Sequence, residues 1–87
     1  MPLTLGRPIE SSSRPRFEAD LDGRPAIVEL DSGAVFKLAD HATGKALTRL
    51  LEGRHERIQS AAARLAEQGF LTDVDGVVEI LVTALDL

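Results

Sequence analysis

A chain of 87 residues supports one hydrophobic core, burying only about 60–65% of the surface its unfolded form exposes, and leaves no room for a second domain within residues 1–87. With 44% apolar and 28% charged residues the composition is globular; the absence of cysteine excludes disulfides, thiol chemistry and thiolate metal sites, and three phenylalanines without Trp or Tyr offer few stacking platforms for single-stranded nucleic acid. The net charge of −4 gives a long-range field that disfavours polyanions and anionic membranes.

In chain order, Leu3-Thr4-Leu5 suits a short edge strand, and residues 6–15 (GRPIESSSRP) carry two prolines, one glycine and three serines, which predict a loop. Residues 16–30 predict a hairpin. Asp22-Gly23 is a strong two-residue turn signal, because a type I′ turn needs positive φ twice. The register it sets places Leu21 opposite Arg24, Ala19 opposite Ala26 and Phe17 opposite Val28. Phe17, Ala19, Leu21, Ala26, Val28 and Leu30 then share one apolar face, with Glu18, Asp20 and Glu29 on the other. Pro25 falls at a non-hydrogen-bonded pair, where its missing N–H leaves this ladder intact. Residues 31–40 admit two readings. Asp31-Ser32-Gly33 can turn the chain into a third strand, or Asp31 can cap a helix with Val35 and Leu38 inward.

From Thr43 to Gln68 the periodicity is helical. Leu47, Leu50, Leu51, Ile58, Ala61, Ala62 and Leu65 form one stripe that stays in phase across Gly53, which predicts a single long helix capped by Thr43. Gly69 suits the left-handed position after its end, with Phe70 packing back on Leu65 as in a Schellman motif. The chain closes with a strand over Val77 to Thr83. Val78, Ile80 and Val82 line one face, and Val77 and Leu81 load the other around Glu79, so the strand is expected to be flanked rather than to lie at an edge.

The parts in this order, namely MPLTL, FEADLDGRPAIVEL, AVFKLAD, ALTRLLEGRHERIQSAAARLAEQG and DGVVEILVTALDL, resemble the small bacterial family catalogued as domain of unknown function 1488. The resemblance covers most of the chain and rests on order and spacing. It implies an α+β fold: an antiparallel sheet of the N-terminal hairpin plus the C-terminal strand, packed against one short and one long helix in the order β-β-α-α-β. It also favours the helical reading of residues 31–40. It implies no activity. The family tends to carry an arginine where this chain has His55, directly after Arg54, so no role of that arginine transfers to His55.

The candidate site lies in EGRHERIQ, residues 52–59. On one continuous helix Arg54 falls within about 20° of the centre of the buried stripe and His55 at its edge, while Glu52, Glu56 and Arg57 point outward as a solvated face. A charged side chain at a core position must find a partner or snorkel to water. The first reading of Arg54 is a structural ion pair with Asp31, Asp40, Glu29 or Glu79. The functional reading is a cleft in which Arg54 and His55 bind an anion or a partner.

Other constellations are weak. His41 and His55 lie fourteen residues apart with no metal-ligand spacing, and His41 is expected as an exposed cap. Asp73, Asp75 and Asp86 suit turns and the terminus, without the closing glutamate of a calcium loop. No catalytic triad or phosphate loop can be assembled, so neither catalytic residues nor a cofactor are expected. No apolar run reaches the roughly 18 residues of a membrane span, and MPLTLGRPIE lacks the apolar stretch of a signal peptide, which favours a cytoplasmic protein.

These features point to a non-catalytic interaction or structural protein with an unidentified protein partner. The alternative is a winged-helix-like DNA-binding protein, because AARLAEQGFLTDVDGVVEIL resembles a recognition helix followed by a wing. The outward face of the long helix mixes Arg49, Arg57 and Arg64 with Glu52, Glu56 and Glu67, and the wing carries Asp73, Asp75 and Glu79, which argues against nucleic acid. A second lateral face of the helix, formed by Thr48, His55, Gln59, Ala62 and Ala66, predicts either a homodimer or cover by the short helix at 32–40.

Overall fold

The chain opens, in a computed structural model that describes residues 3–9, 15–39 and 44–87, with a strand longer than LTL alone. Strand β1 runs Leu3–Ile9 and pairs antiparallel with β2 (Arg16–Leu21), Leu3 opposite Leu21 and Leu5 opposite Ala19. The register shifts between Leu5 and Pro8, then resumes with Pro8 opposite Phe17. The expected loop over 6–15 is therefore strand as far as Ile9, and residues 10–14 lie outside the described residues. Gly6 and Pro8 masked the strand. A proline is tolerated at an irregularity of an edge strand, and β1 offers both the irregularity and the edge.

The hairpin of β2 and β3 (Arg24–Leu30) has the expected register throughout, from Leu21 opposite Arg24 to Phe17 opposite Val28. Asp22 and Gly23 hold φ of 53° and 85°, the two positive values a type I′ turn requires, and the Asp20 carboxylate accepts the Gly23 N–H at 2.7 Å. Pro25 lies just before the first pair that β3 makes on its other side.

Asp31 then caps a helix. Its Oδ1 accepts the Ala34 N–H at 2.7 Å, opening α1 (Ser32–Ala39), so the helical reading of this segment holds. Helix α1 buries Ala34, Leu38 and Ala39, while Val35 is only partly buried. Asp40, His41 and Thr43 lie outside the described residues, and so do the cap roles expected for His41 and Thr43.

The predicted long helix is two helices. Helix α2 spans Gly44–Gly53 and α3 spans His55–Glu67, separated at Arg54, whose φ of −108° and ψ of 16° leave the helical basin. The Arg54 N–H bonds back to the Leu51 carbonyl at 3.0 Å, a tightened last turn, and the Arg54 carbonyl starts the next helix by accepting from Ile58 at 3.1 Å. Gly53 contributes no side chain to hold the helix together, and beyond the break α3 contacts both β1 and β5. Leu50, counted in the stripe, is exposed as a consequence, and Leu47 is only partly buried. Helix α3 ends as expected. The Phe70 N–H bonds the Leu65 carbonyl at 2.9 Å and the Gly69 N–H bonds the Ala66 carbonyl at 3.1 Å, the paired bonds of a Schellman motif.

Beyond α3 the chain makes a short strand that only the winged-helix-like alternative foreshadowed, β4 (Thr72–Val74), which turns at Asp75-Gly76 into β5 (Val77–Val82). The sheet order is β1-β2-β3-β5-β4, and β5 lies parallel to β3, with Val28 opposite Ile80. The expectation of a wholly antiparallel sheet is thus corrected to a mixed five-stranded sheet with three α-helices among the described residues. The cause is β4. A strand arriving directly from α3 would run opposite to β3; the extra hairpin reverses it once more. As expected, β5 is flanked, and Val78, Ile80 and Val82 are fully buried. The strand ends at Val82; a short 3₁₀ turn over Ala84–Asp86 follows, capped by Thr83 and Asp86 and tied to α3 by Arg64, whose guanidinium donates to the Asp86 carbonyl.

One core joins these elements. Phe17, Val28, Leu30, Leu51, Ile58, Leu65, Val78 and Ile80 are buried in it as foreseen, together with Leu3, Leu5, Leu38 and the alanines of α3. It occupies one face of the sheet, beneath the helices. The other face, formed by the alternate residues of the same strands, is half-buried to exposed.

Candidate functional site

The two residues singled out in the sequence lie side by side at the junction of α2 and α3 and line one open concavity with Glu52, Glu56 and Arg57, although their side chains make different contacts. Arg54 stands at the junction of α2 and α3 with its side chain exposed, and makes no ion pair among the described residues. Each proposed partner within the described residues is placed elsewhere. Asp31 caps α1, Glu29 bonds Arg16 Nε at 2.6 Å, and Glu79 lies on the sheet face away from the helices. Asp40 lies outside the described residues. The break in the helix explains the difference. The angle that put Arg54 at the centre of the stripe assumed an unbroken helix, and at Arg54 the phase is interrupted.

His55 turns the other way, toward the edge strand. Its Nε2 lies 3.0 Å from the Leu5 carbonyl oxygen; a carbonyl only accepts, so Nε2 carries the proton. One helical turn on, Gln59 Oε1 accepts the Leu5 N–H at 2.9 Å. The pair clasps both backbone groups of one residue immediately before β1 loses register with β2. Such groups on an edge strand are otherwise open to another chain. Ala62 and Ala66, from the same lateral face, are buried. Of the face expected to dimerise or to lie beneath α1, His55 and Gln59 thus meet β1, and Thr48 is exposed. His55 thereby ties α3 to β1, and with Arg54 it also lines an open concavity of about 670 Å³ together with Glu52, Glu56 and Arg57.

The aspartates serve turns. Asp73 Oδ1 accepts the Gly76 N–H at 3.2 Å, the same device as Asp20 in the first hairpin, and its other oxygen pairs with Arg24 at 2.5 Å. Asp86 closes the capping box with Thr83, accepting the Thr83 N–H at 2.9 Å. The segment that resembled a recognition helix and wing is α3 followed by the β4–β5 hairpin. Strand β5 is inserted between β3 and β4, and α3 buries Ile58, Ala61, Leu65 and Ala66 against the core.

A further concavity lies on the open face of the sheet. A groove of about 550 Å³ runs beside the C-terminal half of β5, lined by Phe70, Leu71, Thr72, Val74 and Leu81 with Glu29 and Glu79. It exists because β4 is short. The β4–β5 pairing ends at Thr72 opposite Glu79, while β5 continues to Val82. Phe70, Val74 and Leu81 are exposed by 65%, 44% and 46%, which is costly to leave in water and unusual in one place. The Schellman bonds that set the chain direction after α3 also hold Phe70 out, so the expected packing of its ring on Leu65 leaves most of it uncovered.

Cross-strand registers give the electrostatics of this face. Arg16, Glu29 and Leu81 form one row, and Glu18, Ile27, Glu79 and Thr72 the next. Arg16 is therefore the cation of β2, β3 and β5 on this face, against Glu18, Asp20, Glu29 and Glu79. Glu79 is half-buried and has no ion pair among the described residues. The sequence held a signal for the groove in the apolar outer face of β5, Val77 and Leu81. The position of Phe70 beside them depends on where β4 stops.

Comparison with family models, with curated proteins and with solved structures finds no match to this chain.

Proposed function

We propose that this domain is a non-catalytic interaction module of the cytoplasm that holds a protein partner against the open face of its sheet. The resemblance to domain of unknown function 1488, which implies no activity, is compatible with that role. The observation that carries the reading is the grouping of Phe70, Val74 and Leu81 around one groove that also holds Glu79 and the Arg16-paired Glu29. Exposed apolar side chains ringed by polar groups are the usual anatomy of an interface core. Among the described residues no helix is long and apolar enough to cross a membrane, so this face is not explained by an α-helical span.

The test is affinity capture from a native-cell lysate with quantitative mass spectrometry, comparing the wild type with Leu81→Asp and with Arg57→Asp as a surface control. The expected result is one protein recovered in stoichiometric amount, lost with Leu81→Asp and kept with Arg57→Asp. Equal recovery by all three forms would overturn the reading. Salt-sensitive micromolar binding to random duplex DNA in fluorescence anisotropy would favour the winged-helix-like alternative instead.

A further inference from the structure

We propose that the groove beside β5 accepts an extended peptide segment by strand addition, and that the segment carries a lysine or arginine facing Glu79. This deepens the interaction reading and rests on it. The backbone supplies the first argument. The Asp31 N–H donates to the Val82 carbonyl at 3.1 Å, so the backbone groups of Val82 point toward β3. Alternation along a strand then turns the N–H and C=O of Leu81 the opposite way, as it does those of Glu79. At Glu79 that side is filled by Thr72; at Leu81 it is the groove, because β4 has ended and Phe70 has left the sheet with the cap of α3. One rung of the ladder is thus presented without a strand beside it. On the opposite edge of the sheet the corresponding exposure at Leu5 is closed by His55 and Gln59. The two edges are treated differently, and the one left open is the one flanked by exposed apolar side chains.

Charge supplies the second argument and selects the occupant. A residue placed opposite Leu81 shares its outward face and lies diagonal to Glu79, about 7–8 Å away and within reach of a long side chain. Glu79 has no ion pair among the described residues, whereas Glu29, in the row of Leu81, already bonds Arg16 at 2.6 Å, so Glu79 is the carboxylate that selects the occupant. A lysine or arginine at that position would satisfy Glu79, while its apolar neighbours would cover Phe70 and Leu71. An acidic segment at that position would instead set its carboxylate against Glu79.

The experiment is an NMR titration of the full chain with a capped hexapeptide alternating valine and arginine. Its companions are the same peptide with glutamate for arginine and the arginine peptide with a methylated backbone. The expected result is a saturable shift of the Ile80, Leu81, Phe70 and Leu71 amides with the arginine peptide, at least tenfold weaker with either companion and at least tenfold weaker in Glu79→Gln. Equal binding of the glutamate peptide, equal binding of the methylated peptide, or shifts confined to residues outside the groove would each overturn the proposal. Concentration-dependent shifts of the same amides without peptide would overturn it in favour of a second copy of the chain. A captured partner that needs Leu81 but lacks any basic extended segment would leave the interaction module standing and sink this inference alone.

Discussion

Gln59→Ala removes the side-chain acceptor of the Leu5 N–H and asks how much α3 contributes to holding the edge strand. The bond is 2.9 Å long and joins residues 54 positions apart, so its loss releases a long-range tie rather than a local one. A neutral hydrogen bond of this kind contributes about 0.5–1.5 kcal/mol net. For a domain of this size a loss of about 1 kcal/mol lowers Tm by about 4–8 °C. The same loss speeds exchange of the Leu5 amide roughly fivefold, if the amide opens by release of β1 rather than by global unfolding. His55→Ala removes the donor to the Leu5 carbonyl and should act with similar size. Because both side chains hold one residue, the double variant should fall short of the sum of the singles, with a coupling of about 0.5 kcal/mol or more. Thermal melts by circular dichroism and hydrogen exchange by NMR measure all of this. Single variants whose Tm stays within about 1 °C of wild type, with an unchanged Leu5 exchange rate, would refute the clasp.

Ile58→Ala should cost about 2–5 kcal/mol in urea denaturation, because Ile58 is fully buried beneath the sheet; a loss under about 0.5 kcal/mol would mean that α3 packs by another face. Arg54→Ala should leave stability within about 0.5 kcal/mol, since an exposed side chain with no ion pair among the described residues holds nothing in place, and a fall of several degrees in Tm would restore the ion-pair reading. Asp31→Ala should cost about 0.5–2 kcal/mol through loss of the cap on α1, readable as a lower midpoint with an unchanged m-value. Ala66→Glu, a natural choice for breaking a helix-face dimer, should unfold the monomer instead, because Ala66 is 1% exposed and the carboxylate would be forced into the core. A folded Ala66→Glu monomer by circular dichroism and light scattering would contradict that burial.

What the sequence determined by itself is whatever a few neighbouring residues decide among themselves. Asp22-Gly23 can turn in one favoured way, and that turn sets every pair of the β2–β3 hairpin up to Phe17 and Val28. Asp31 and Gly69 mark a helix start and a helix end through hydrogen bonds to residues three to five positions away. The alternation of Val78, Ile80 and Val82 marks a strand whatever lies beside it. Tertiary structure decided what depends on residues far apart in the chain. The stripe from Leu47 to Leu65 is compatible with one helix or two; the chain breaks at Arg54, and α3 beyond it packs on both β5 and β1. His55 and Gln59 carry no mark of their task, because their partner is a backbone 50 and 54 residues earlier. Strand β4 is too short and too exposed to show a period, yet it reverses β5 and leaves the groove above Thr72. Strand direction and the free rung at Leu81 are properties of pairings, and a pairing leaves little trace in either of the segments that make it.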